Sequence, residues 1–101
     1  MIPDSSAIRA ALCACIAETL QLSGKPVPQF KDPDIPLQDY AGLDSHCGIE
    51  ITVAVEIALE VADLGNNLFV NGTGKQAKAR TLSEIVETVA KIVKKRTGRA
   101  A

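Results

Sequence analysis

Small and apolar residues recur at helical spacing in the first stretch of the chain. Ile8, Ala11, Leu12, Cys15, Ile16, Thr19 and Leu20 follow the three-and-four step of one helix face. Asp4, Ser5 and Ser6 are candidate caps ahead of them, and Gly24 stands just past the end. The pattern predicts a helix over 5–22. A second regular pattern closes the chain: Leu82, Ile85, Val86, Val89, Ile92 and Val93. Thr81 with Glu84 reads as a capping box, and Lys94, Lys95 and Arg96 occupy the last turn, giving a helix over 81–96. The apolar stripe stops at Val93, so 97–101 are expected to form a flexible tail.

The middle of the chain reads two ways. Ile49, Ile51, Val53, Val55, Ile57, Leu59 and Val61 alternate with other residues, which is the period of a strand. A strand of that length would far exceed the usual ~5–6 residues, and no turn signal interrupts it. Read as a helix, Ile49, Val53, Ile57 and Val61 form an apolar stripe with Val55, Leu59 and Ala62 beside it. Glu56, Glu60 and Asp63 then share a polar face, on which Thr52 and Ser45 also fall. The helical reading, over 45–64, is preferred.

Two connections separate these helices. Residues 23–43 hold Pro26, Pro28, Pro33 and Pro36, each of which removes a backbone donor and turns its predecessor away from helix. This predicts a long irregular loop anchored by Phe30, Ile35, Leu37 and Tyr40. Residues 65–80 are rich in Gly and Asn, with a turn signal at Asn71-Gly72. There Leu68, Phe69 and Val70 are expected to turn inward and the rest to be mobile. The sum is one all-α domain over 1–101, a small irregular bundle of three main helices.

Composition narrows the function. The chain has 101 residues, 47% hydrophobic and 23% charged, which suits a single globular domain. Aromatics make up 3%, too few for base stacking, so nucleic acid is not an expected partner. One His and three Cys argue against a structural zinc site. Cys13, Cys15 and Cys47 read as unpaired thiols of a reducing compartment, packed as small hydrophobes. The opening MIPDSS does not read as a signal peptide, and no uncharged apolar run reaches the ~18 residues of a membrane span. A soluble, cytoplasmic monomer without stable membrane insertion is expected. Charge is divided: three cations face ten carboxylates up to residue 70, and eight face two after it. The acidic part would steer basic partners, whereas the basic end suits a helix C-terminus.

The stretch Gly42-Leu43-Asp44-Ser45-His46-Cys47-Gly48-Ile49-Glu50 is the candidate for chemistry. It joins the proline-rich loop to the middle helix. A phosphate ester on Ser45 would meet the positive end of the helix, although Asp44 or Ser45 is also simply an N-cap. Ser45 and His46 are adjacent on a helix and do not face each other, which disfavours a nucleophile–base pair. Glu56, Glu60 and Asp63 read as a solvated acidic face. Gly72-Thr73-Gly74-Lys75 lacks full phosphate-loop spacing.

Ala41-Gly42-Leu43-Asp44-Ser45, followed by Ile49-Glu50 and by Val55-Glu56, resembles the acyl carrier protein signature. In that family an Asp-Ser-Leu motif opens the second helix. A hydrophobic residue and a Glu follow four and five positions after the serine, and another Glu lies eleven after it. Thr81-Leu82-Ser83-Glu84-Ile85-Val86 resembles the opening of the family's last helix. The resemblance covers about residues 5–95. It implies a three-helix bundle with a short extra helix near 66–72. It further implies that Ser45 carries a 4'-phosphopantetheine arm, transferred from coenzyme A by a magnesium-dependent phosphopantetheinyl transferase. Acyl groups would ride on it as thioesters between acyl-synthesising and acyl-transferring enzymes of fatty-acid or lipid biosynthesis, and the protein itself would be no enzyme. Asp44, His46, Glu50, Glu56 and Glu60 would meet those partners. His46 replaces the family's usual Leu or Met, Gly48 weakens the first turn by roughly 1 kcal/mol against Ala, and 65–80 is longer and more basic than usual. These departures suggest a specialised carrier. A helical interaction domain and a peptidyl or polyketide carrier stay open as alternatives.

Overall fold

A computed structural model describes residues 4–72 and 77–100, with side chains through residue 95. The chain is mostly helical, in the order α1 (Ser5–Leu22), α2 (Pro36–Asp39), α3 (Ser45–Leu59), β1 (Val70–Asn71), β2 (Lys78–Ala79) and α4 (Leu82–Ala100). Helix α1 packs against both α3 and α4. Among the described residues, no helix is long and apolar enough to cross a membrane.

The ends of α1 follow from its sequence. The Asp4 carboxylate accepts the Ala7 N–H at 2.7 Å, and Gly24 turns the chain away at φ +72°. Ile8, Leu12, Ile16 and Leu20 are fully buried, as their spacing predicts. Helix α4 opens on the expected capping box: Thr81 N–H donates to Glu84 Oε1 and Glu84 N–H to Thr81 Oγ1. Its buried stripe is Leu82, Ile85, Val86, Val89 and Val93. Helix α4 runs on to Ala100, four residues past its predicted end at 96 and over most of the stretch expected to be a tail, and residue 101 lies outside the described residues.

The proline-rich loop is more ordered than its composition suggests. Pro36 starts the single turn of α2. The Tyr40 ring meets Phe30 edge to face at 5.5 Å, and its hydroxyl donates to Asp34. Tyr40 is buried, while Phe30 and Leu37 pack half-buried on the core. Arg9 of α1 holds the loop through Asp32 at 3.0 Å and the Phe30 carbonyl at 2.9 Å. Two loop carbonyls satisfy orphan donors at the start of α4: Leu82 N–H donates to Asp34 and Ser83 N–H to Asp32.

Three further expectations need correction. Helix α3 ends at Leu59, five residues before the predicted end. Glu60 adopts the left-handed conformation at φ 55°, and the Glu56 carboxylate accepts the Leu64 N–H at 2.8 Å, so the chain folds back and buries Leu64. Secondly, the stripe of Ile49, Val53 and Ile57 faces outward, 37%, 50% and 73% exposed. The buried face is instead Gly48, Ile51, Thr52 and Val55, so Thr52 lies in the core and not among the acids. Thirdly, 66–72 forms a turn and β1 in place of a short helix. There Asn67 Oδ1 accepts the Phe69 N–H, the Phe69 carbonyl accepts from Arg80, and Val70 pairs with Ala79 in an antiparallel hairpin. The backbone groups are used across the hairpin and are not free for a helix. Residues 73–76, read as mobile loop, lie outside the described residues.

Candidate functional site

The segment leading into α3 is built on a buried anchor and a tight turn. Leu43 is 4% exposed, and its N–H donates to the Tyr40 carbonyl at 3.2 Å. Gly42 sits at φ +88°, where the Lys25 stem lies so close that a Cβ would come within 2.7 Å of Lys25 Cγ. Cys47 Sγ returns to the Gly42 carbonyl at 3.8 Å, tying the turn to the first turn of the helix.

Asp44 is the N-cap. Its backbone is extended, and Oδ1 accepts the Cys47 N–H at 2.9 Å. That hydrogen bond holds the Asp44 carboxyl below the usual carboxylate range. Ser45 follows as the first helical residue and is exposed. The cap is complete without the Ser45 hydroxyl. His46 lies one turn from Glu50, with Nε2 3.4 Å from its carboxylate and both side chains exposed. The imidazole thus turns along the helix towards Glu50, in line with the expectation that adjacent residues do not face each other.

Of the acidic residues singled out in the sequence, Asp44, Glu50 and Glu60 are exposed on or beside α3. Glu56 is half-buried and committed to the Leu64 N–H. Ile49, Val53 and Ile57 form an exposed apolar stripe on α3, with Glu50 beside it, Asp44 at the start of the helix and Glu60 just past its end. Such a surface suits a partner with a basic rim around an apolar patch.

Sequence reasoning missed Asn67 and set Thr52 on the wrong face of its helix. The Asn67 carboxamide donates from Nδ2 to the Ser45 carbonyl at 2.9 Å and accepts the Phe69 N–H at 2.9 Å. It lies directly over Gly48, where a Cβ would come within 2.5 Å of Asn67 Oδ1. A glycine in the first turn of a helix, otherwise a poor choice, was the signal for this close approach. Thr52 donates to the Gly48 carbonyl at 2.8 Å and accepts the Leu68 N–H at 2.9 Å. The second half of the chain therefore reaches the Ser45 turn through two polar contacts.

A cleft of about 530 Å³ lies elsewhere, lined by Ser5, Ser6, Arg9, Asp32, Ser83, Val86 and Glu87. No residue of α3 lines it, so it is separate from the Ser45 corner. Compared with family models, curated proteins and solved structures, the chain has no match.

Proposed function

We propose that the protein is an acyl carrier: Ser45 bears a 4'-phosphopantetheine arm on which acyl groups travel as thioesters. The observation that carries this reading is the exposed Ser45 at the start of α3, with Asp44 already capping the helix. The Ser45 hydroxyl is thereby left for esterification, and the positive end of the helix favours the phosphodiester that would result. These residues fit such an arm. Its thiol would supply the thioester chemistry, and the protein's part is presentation and docking. The exposed stripe of Ile49, Val53 and Ile57, with Glu50 beside it and Asp44 and Glu60 at the two ends of α3, is the surface that partners would approach. Those partners are a phosphopantetheinyl transferase and acyl-synthesising and acyl-transferring enzymes. His46, paired with Glu50, gives this face a feature that a specialised partner would read.

Incubation with coenzyme A, magnesium and a broad-specificity phosphopantetheinyl transferase, followed by intact mass and peptide mapping, tests the reading. One arm on Ser45 is the expected result. Absence of the arm both there and in protein purified from its native cells would overturn it. The same α3 face would then belong to a helical interaction module in which Asp44 is only a cap, a reading supported by the completeness of that cap.

A further inference from the structure

Peptide carbonyls have two lone pairs, and the Ser45 carbonyl accepts a hydrogen bond from outside its own helix. The donor, Asn67 Nδ2, comes from a segment far along the chain, 2.9 Å away. The Ser45 carbonyl belongs to the peptide plane that joins Ser45 to His46. Holding that plane fixes the last backbone torsion of Ser45 and the first of His46, and with them the direction in which both side chains leave the helix.

The clasp is itself held at the other end. Asn67 Oδ1 accepts the N–H of Phe69, whose side chain is fully buried, and the Phe69 carbonyl accepts the Arg80 N–H at 2.8 Å. Arg80 adds a guanidinium bond to the Leu68 carbonyl at 3.1 Å. The Ser45 peptide is thus tied through one carboxamide to a core aromatic and to the base of the hairpin. Gly48 keeps the space open, since any Cβ there would displace the carboxamide.

We propose that Asn67 is a positioning residue for Ser45, orienting the hydroxyl for arm transfer through the Ser45 carbonyl. This rests on the carrier reading above. The role predicts a specific pattern. Asn67→Asp removes the donor to Ser45 and keeps the acceptor for Phe69. Asn67→Ala removes both. Gly48→Ala pushes the carboxamide away from the opposite side. In an Asn67→Ala background the clash is gone, so Gly48→Ala adds no further loss there.

The test is steady-state transfer of phosphopantetheine from coenzyme A to each variant by one transferase. Thermal midpoints and the carbonyl ¹³C shift of Ser45 are measured on the same samples. In Asn67→Asp and in Gly48→Ala, kcat is expected to fall about tenfold or more while KM for the carrier holds. The Ser45 carbonyl should move upfield in both, and Asn67→Asp should melt within a few degrees of the parent. Transfer to Asn67→Asp at the parental kcat, or an unmoved Ser45 carbonyl, would overturn the positioning role and leave the carrier reading intact. Further loss from Gly48→Ala in the Asn67→Ala background would also overturn it. If the parent protein takes no arm on Ser45, the carrier reading fails and the positioning role falls with it.

Discussion

The Leu68 N–H donates to the Thr52 hydroxyl at 2.9 Å inside the core, and the same hydroxyl donates to the Gly48 carbonyl at 2.8 Å. One side chain thus joins α3 to the segment that leads into the hairpin. Thr52→Val keeps the shape and leaves the buried Leu68 N–H without a partner. It is expected to destabilise the protein by about 1–3 kcal/mol. Thr52→Ser keeps the hydroxyl and loses one methyl, roughly 0.8 kcal/mol. Urea denaturation separates them, and equal losses would contradict the hydrogen-bonding role.

Asp44 and Ser45 are expected to respond differently to alanine. Because the cap belongs to Asp44, Ser45→Ala should leave the thermal midpoint almost unchanged while abolishing arm transfer. Asp44→Ala should lower the midpoint by about 4–8 °C. A calorimetric scan of the two variants decides this. A large drop in Ser45→Ala alone would move the cap to the serine.

Acid should weaken the starts of two helices together. The Cys47 N–H lowers the pKa of Asp44, and the Thr81 N–H lowers that of Glu84. A carboxylate whose folded pKa lies below its unfolded value stabilises the protein above the unfolded value. That contribution is lost as pH falls through the folded one. The urea midpoint should therefore decline below about pH 4, near the unfolded carboxylate range. The double variant Asp44→Asn, Glu84→Gln should show a shallower decline between pH 5 and pH 3. An unchanged slope would show that these two groups do not drive the loss.

The outward stripe of α3 gives a contrast between neighbours. Val55 is fully buried, and Val55→Ala should cost about 2–3 kcal/mol. Ile57 is 73% exposed, and Ile57→Ala should change stability by less than about 0.5 kcal/mol. If the stripe meets partners, Ile57→Ala and Val53→Ala will raise KM for the arm transferase with little effect on folding. Chemical denaturation and transferase kinetics on the same samples check both statements.

Much of the helical framework was legible because local signals agreed with tertiary need. Asp4, Gly24 and the Thr81–Glu84 box mark helix ends by their own chemistry, and the stripes of α1 and α4 are regular. Helix α3 was harder. Its apolar residues lie all around the helix, so periodicity alone could not say which face is buried. The early stop at Leu59 depends on Glu56 reaching Leu64 and on burial of Leu64, with no Gly or Pro between to announce it. At the candidate site, the position of Ser45 could be read from its neighbours in sequence. The support from Asn67 could not, because it comes from a distant segment and shows in the sequence only as Gly48.

The first two amides of α4 donate to carbonyls of Asp34 and Asp32, roughly fifty residues earlier in the chain. The amino end of this helix is therefore completed by topology, late in folding, once the proline-rich loop has closed. In a hydrogen-exchange experiment the Leu82 and Ser83 amides would report the docking of that loop and not the melting of their own helix. They form a built-in reporter of loop opening.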